Sequence, residues 1–254
     1  MSVARRNLCF VAIPISRNKL KRLTCRLRHG TETPEDKRDL DEVLMYYDRV
    51  LHGAHADIER LCAELPHAEP MAPRVKTLKT TREKLHRQPE LHSLVQIRDL
   101  AGLRVVIHGT RTDQDELVSK IEELFRDESR PPKRIDRRAD PRAGYRAVHL
   151  EVRRDGILLE VQVRTALQHQ WAEVFERAAD RFGRGLRYGE HVDYGAWPDL
   201  GKTVVERLIA AASLIDQFER GEFADLFGPE LTAAALTAVQ QALERIAGQV
   251  QEVP

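Results

Sequence analysis

The sequence predicts an α+β fold, a β-sheet flanked by helices on its N- and C-terminal sides. Helical periodicity dominates the first 65 residues, strand-like runs fill the middle, and helical periodicity returns from Ala166. The expected organisation is N-terminal helices over 1–70, a core over 71–185 and a C-terminal helical region over 186–254.

Residues 16–28 form the first expected helix, with Leu20, Leu23 and Leu27 on one face, Ser16 as cap and Gly30 as terminator. Thr33-Pro34-Glu35-Asp36 starts a second helix: a capping hydroxyl, proline at the first helical position, then acids in the first turn. Leu40, Val43, Leu44, Tyr47, Val50 and Leu51 continue it to about Leu65, where Pro66 and Pro70 break the pattern. Leu103–Ile107 has the apolar run of a buried strand, and Asp113–Arg126 helical spacing. A short strand is expected at 134–137 and a loop at 138–145, with Pro141 and Gly144.

Two alternating strands follow, 146–152 and 157–163, joined through Asp155-Gly156, a hairpin signal. Val148, Leu150 and Val152 share a face, as do Leu159, Val161 and Val163. Period two then sets Glu160, Gln162 and Arg164 together on the opposite face. Helices are expected over 166–182, 202–220 and 230–250, with a glycine-rich loop over 183–200.

The balance of charge narrows the class of ligand. The net charge is +1, yet 32% of residues are charged, and Arg74, Lys76, Lys79, Arg82, Lys84, Arg87, Arg98 and Arg104 cluster against few acids. A local basic surface on a neutral protein suits a polyphosphate better than whole-molecule attraction to nucleic acid. No apolar run approaches the roughly 20 residues that span a bilayer. The first 16 residues weakly resemble a secretory signal, but Asn7, Pro14 and Arg17 interrupt it, so no membrane partner and a cytoplasmic setting are expected. Cys9, Cys25 and Cys62 lack paired spacing, which argues against a disulfide framework or zinc; each suits a small buried hydrophobe.

Cations can neutralise phosphates, carboxylates can hold Mg²⁺, and a carboxylate can take a proton from a hydroxyl. Arg74 and Lys76, then Lys84 and Arg87, stand one or two turns apart if their stretch is helical; a solvated helix face is the competing reading. Asp99 and Glu160 could share a magnesium ion from neighbouring strands, although Asp99 could also cap a helix or pair with Arg98 or Arg104. Tyr145, beside Gly144 at a loop end, could stack on a base or pack at a strand start. His149 shares its face and could reach the same ligand, or be structural.

Four segments in order, Arg74–Arg87, Ile97–Val106, Pro141–His149 and Leu159–Thr165 with Gln168-His-Gln-Trp171, resemble the synthetase domain of the RelA/SpoT family in its short form, the small alarmone synthetases. The resemblance spans roughly residues 70–180 and implies a mixed, nucleotidyltransferase-like sheet. It also implies transfer of pyrophosphate from ATP to GDP or GTP. By that resemblance Arg74, Lys76, Lys84, Arg87 and Arg104 bind ATP, and Asp99 and Glu160 hold Mg²⁺. Glu160 activates the attacking hydroxyl, Tyr145 stacks on the acceptor base, and Arg142, His149, Gln162 and Arg164 surround it.

Two departures stand out. Thr80 replaces the common serine, and Pro141-Arg-Ala-Gly-Tyr145 replaces Pro-Lys-x-Asn-Gly-Tyr, one residue shorter and without the asparagine. The second puts acceptor identity in doubt, so the 3′ CCA end of tRNA is an alternative acceptor, as in toxic family members. An antitoxin protein would then be a partner. Arg17, Lys19, Lys21, Arg22, Arg26 and Arg28 on the first helix could hold an RNA backbone, or form a solvated face. No His-Asp dipeptide occurs, so synthesis without hydrolysis is expected. The short C-terminus suggests no regulatory tail, and its apolar helices could pack on the domain or build a homo-oligomer.

Overall fold

The computed structural model describes residues 13–65, 67–127, 130–190 and 192–252. Residues 1–12 of the signal-like start, with Cys9, and Pro66 lie outside the described residues. Two helices open the described chain, α1 (Arg17–His29) and α2 (Pro34–Ala63). The Ser16 hydroxyl accepts the Lys19 N–H, and Gly30 closes α1 in the left-handed region at φ 67°. Thr33 and Asp36 form a reciprocal capping box at the start of α2.

A five-stranded sheet follows in the order β1-β2-β5-β4-β3: β1 (Ala68–Val75), β2 (Ala101–Ile107), β3 (Lys133–Asp136), β4 (Val148–Arg154) and β5 (Ile157–Thr165). Only β2 and β5 pair in parallel, so the sheet is mixed as expected. Helix α2 ends at Ala63, ahead of the prolines as expected, but strand β1 after it was not expected. Pro70 lies inside β1, opposite Val105, and the register slips between Met71 and Arg74. An edge strand tolerates proline because it forms a ladder on one side only. The hairpin turn is as expected: Asp155 (φ 47°) and Gly156 (φ 82°) join β4 to β5, with Arg154 opposite Ile157.

Helix α3 (Leu78–Arg87) lies between β1 and β2, and α4 (Arg111–Leu124) between β2 and β3. After the sheet come α5 (Ala166–Phe182), α6 (Pro198–Glu219) and α7 (Glu222–Glu252), the last broken at Gly228-Pro229. The stretch expected as loop over 183–200 contains a 3₁₀ turn, Arg184–Tyr188, and the first turn of α6.

The two faces of the sheet have different fates. Leu103, Val105 and Ile107, Val148, Leu150 and Val152, and Leu159, Val161 and Val163 are buried in one cluster with α1, α2 and α4. That cluster is the main source of hydrophobic stabilisation. A second cluster joins Trp171, Phe175 and Phe182 of α5 to Leu208 and Ile215 of α6 and Leu243 and Ile246 of α7. Among the described residues no helix is long and apolar enough to cross a membrane, and Cys25 and Cys62 are free.

Candidate active site

Strand pairing builds the site from the polar face. Gly102 stands opposite Glu160, Arg104 opposite Gln162, Val106 opposite Arg164, and Gln162 also opposite His149. Arg74 of β1 stands opposite Gly102. Directly paired residues share a face, so Arg74, Arg104, His149, Glu160, Gln162 and Arg164 project from one side. A cavity of about 550 Å³ opens there, lined by Met71, Ala72, Arg74, Lys76, Thr80, Asp99, Gly102, Leu103, Arg104, Tyr145, Glu160, Gln162, Arg164, Ala172, Phe175, Glu176 and Arg187. Its size suits a small-molecule ligand.

A directional hydrogen-bond network fixes the floor. Arg164 Nη2 donates to the Tyr145 hydroxyl at 3.0 Å and to Gln162 Oε1 at 3.1 Å. Tyr145 Oη lies 2.8 Å from His149 Nε2, and His149 Nδ1 lies 2.9 Å from Glu160 Oε1. An ionised carboxylate only accepts, so His149 Nδ1 carries the proton; in the neutral ring Nε2 then accepts from Tyr145. Gln162 Nε2 completes the set by donating to Glu160 Oε2 at 2.7 Å. Burial pushes the Glu160 carboxyl up, but His149, Gln162 and the Lys76 charge together hold it below the ordinary glutamate value. Burial raises the Tyr145 phenol against the opposing Arg164 charge. The Arg164 guanidinium sits 5.0 Å from the Tyr145 ring centroid and occupies one face of the ring.

Asp99 lies in the turn before β2, and its Oδ2 is 3.3 Å from Lys76 Nζ and 3.5 Å from Lys84 Nζ. Its partners are thus neither Arg98, which pairs with Glu151 at 2.6 Å, nor Arg104, which pairs with Glu173 at 2.8 Å. Asp99 Oδ1 is buried without a hydrogen-bond partner. Among the described residues no three His, Cys, Asp or Glu gather into a metal-binding cluster. A carboxylate oxygen left free in a cavity with a second carboxylate suits Mg²⁺, which takes one or two carboxylates and fills its remaining positions with phosphate and water.

Other candidates are placed differently. Arg74 is on a strand and Lys76 just beyond it, so only Lys84 and Arg87 of that basic group are helical. Arg87 does not line the cavity; its guanidinium lies 4.1 Å from the Tyr188 ring centroid. His149 does not itself line the cavity, but it contacts Tyr145 and Glu160, which do. Arg142 opens a turn whose carbonyl accepts the Tyr145 N–H at 2.9 Å, and its side chain is absent from the lining.

Residues 73–180 match the model of the region found in RelA and SpoT proteins. Over this stretch the chain is similar to the RelA/SpoT region. The chain also resembles curated mycobacterial relatives, the uncharacterized proteins Rv1366 of Mycobacterium tuberculosis and Mb1401 of Mycobacterium bovis. Each is 35% identical over 185 residues, which cover 70% of this chain and 63% of the relative. The chain therefore spans a little under two thirds of these relatives. In fold, it resembles the small alarmone synthetase 1 of Bacillus subtilis bound to its product pppGpp: TM-score 0.55, 22% identity, 76% of this chain and 100% of that one. A GTP pyrophosphokinase family protein of Streptococcus pneumoniae gives a TM-score of 0.56 at 22% identity, covering 80% and 98%.

The RelA/SpoT region and its flank also contribute wall residues that sequence reasoning missed. Glu176 comes from α5, two turns beyond Gln168, where helical spacing could have found it. Arg187 comes from the 3₁₀ turn, and its Nη2 donates to the Glu176 carbonyl at 3.1 Å. Nothing in the sequence signals that a glycine-rich segment returns to the cavity.

Proposed function

We propose that the chain is a pyrophosphokinase that transfers the β,γ-pyrophosphate of ATP to the 3′-hydroxyl of GDP or GTP, making (p)ppGpp. One observation carries this reading. Arg74, Lys76 and Arg104, the carboxylates Asp99 and Glu160, and Tyr145 line the same cavity of about 550 Å³. The RelA/SpoT region supports the reaction class, and the likeness to a synthetase bound to pppGpp supports the acceptor class.

In this reading Arg74, Lys76, Lys84 and Arg104 neutralise the ATP phosphates. Asp99 and Glu160 would hold Mg²⁺, which when bound supplies charge neutralisation at the transferring phosphates. Tyr145 stacks on the acceptor base, with Arg164, Gln162 and His149 holding that wall. Glu160 takes the proton from the acceptor hydroxyl. The acceptor oxygen bonds to the β-phosphorus, the bond from that phosphorus to the α–β bridging oxygen breaks, and AMP leaves with the electron pair. Arg87 and Arg142 stand outside the cavity lining and take no part in this reading.

The tRNA alternative draws on the basic face of α1. Lys19 pairs with Asp39 at 2.8 Å, Arg26 with Asp36 at 2.7 Å, and Arg28 donates to the Leu85 and Leu91 carbonyls. Half of the expected phosphate contacts are thus engaged inside the protein, which weighs against that reading. The test incubates purified protein with β-labelled ATP and, in parallel, GDP, GTP or deacylated tRNA. Label in a guanosine nucleotide is the expected result; label in tRNA alone would replace the acceptor, and label in none would overturn the proposal.

A further inference from the structure

The loop that presents Tyr145 is fastened to α6, a helix outside the RelA/SpoT region. Arg146 Nη1 donates to the Gly144 carbonyl at 3.2 Å and to the Ala212 carbonyl at 3.1 Å. Arg146 Nε lies 3.3 Å from Asp216 Oδ1. Asp216 is also held by Arg111 of α4 at 3.0 Å and by Arg220 at 2.9 Å, and it is buried. Trp171 Nε1 donates to the Leu208 carbonyl at 2.6 Å. Leu208, Ala212 and Asp216 are spaced i, i+4, i+8 and form one stripe along α6. A helical carbonyl has a second lone pair, so these contacts do not cost α6 its own ladder.

The loop itself is tightly seated. Ala143 and Gly144 take positive φ of 49° and 89°. A Cβ on Gly144 would come within 3.0 Å of Ala212 Cβ and of Trp171 Cζ2. At Gly144 the loop is therefore packed closely against α5 and α6, and Arg146 ties it to α6 immediately after Tyr145.

We infer that Arg146 and Asp216 are positioning residues for the acceptor: the C-terminal helical region, through the Leu208–Ala212–Asp216 stripe, sets where the Tyr145 ring stands. This rests on the reading of the cavity wall at Tyr145 as the acceptor side. Neither residue lines the cavity, so each acts through the loop. Specificity for the acceptor then depends on residues that the donor site does not use.

The test compares wild type with Arg146→Ala and Arg146→Lys by steady-state kinetics in both substrates. Loss of the tie should raise the acceptor KM on the order of 10- to 100-fold while the ATP KM stays within about two-fold. Lysine keeps a charge but has one nitrogen, which cannot face Asp216 as Nε does and reach both carbonyls as Nη1 does, so it should fall between. A second readout is independent of turnover. The chain has two tryptophans, and in a Trp197→Phe background acrylamide quenching of Trp171 reports the seating of the loop. Quenching should rise in Arg146→Ala. An unchanged acceptor KM, or both KM values rising together, overturns the inference. If wild type transfers to no acceptor, the proposed function falls, and unchanged Trp171 quenching would then overturn the tie by itself.

Discussion

His149 stands between Tyr145 and Glu160, its Nε2 2.8 Å from the tyrosine hydroxyl and its Nδ1 2.9 Å from the glutamate carboxylate. The residue proposed to grip the acceptor and the residue proposed to deprotonate it are therefore held by one imidazole ring. The four predictions below test that arrangement and the neighbouring Asp99.

Glu160→Gln removes the proton acceptor but keeps the shape and much of the hydrogen bonding to Gln162 and His149. Turnover should fall roughly 10²- to 10⁴-fold while the circular dichroism spectrum stays as in wild type. Retained kcat would remove Glu160 from its proposed role.

The depressed Glu160 carboxyl has a signed consequence. A group whose folded value lies below its ordinary 4.5 contributes stability that is present above that value and lost as pH falls through the folded one. The same carboxylate stays ionised at neutral pH, so the acid limb of kcat/KM should lie below pH 4.5 where Glu160 alone sets it. His149→Gln removes the leading opposing partner and leaves burial dominant, so the limb should move upward. A pH–rate profile that does not shift would show that His149 is not what lowers Glu160.

Tyr145→Ala should abolish transfer while sparing ATP binding, measured with a fluorescent ATP analogue. Tyr145→Phe keeps the ring but frees His149 and Arg164, and should retain more activity than alanine. If Tyr145→Ala loses ATP binding instead, the tyrosine belongs to the donor side.

Asp99→Asn removes the charge that Lys76 and Lys84 share at 3.3 and 3.5 Å. Turnover should drop roughly 10²- to 10³-fold, and higher Mg²⁺ should restore part of it. An unaltered Mg²⁺ titration would argue that the ion is held elsewhere.

Local rules carried much of this protein. Ser16, the Thr33-Pro34 start and the Asp155-Gly156 turn each act within a few residues, so these helix starts and the hairpin were legible without coordinates. Period two alone set Glu160, Gln162 and Arg164 on a common face, because alternation is a property of the strand and not of its neighbours. Distant pairing was not legible. That Pro70 sits in an edge strand depends on β1 meeting β2, and that Asp99 meets Lys76 and Lys84 depends on the end of β1 and helix α3 packing beside the turn before β2. The departure of Arg87 to Tyr188, the arrival of Glu176 and Arg187 at the cavity and the tie from Arg146 to α6 all join residues far apart in sequence. The sequence by itself determined most of the elements and the faces of β4 and β5; tertiary structure made β1 a strand and decided which faces enclose a cavity, because only packing brings separate elements within hydrogen-bonding reach.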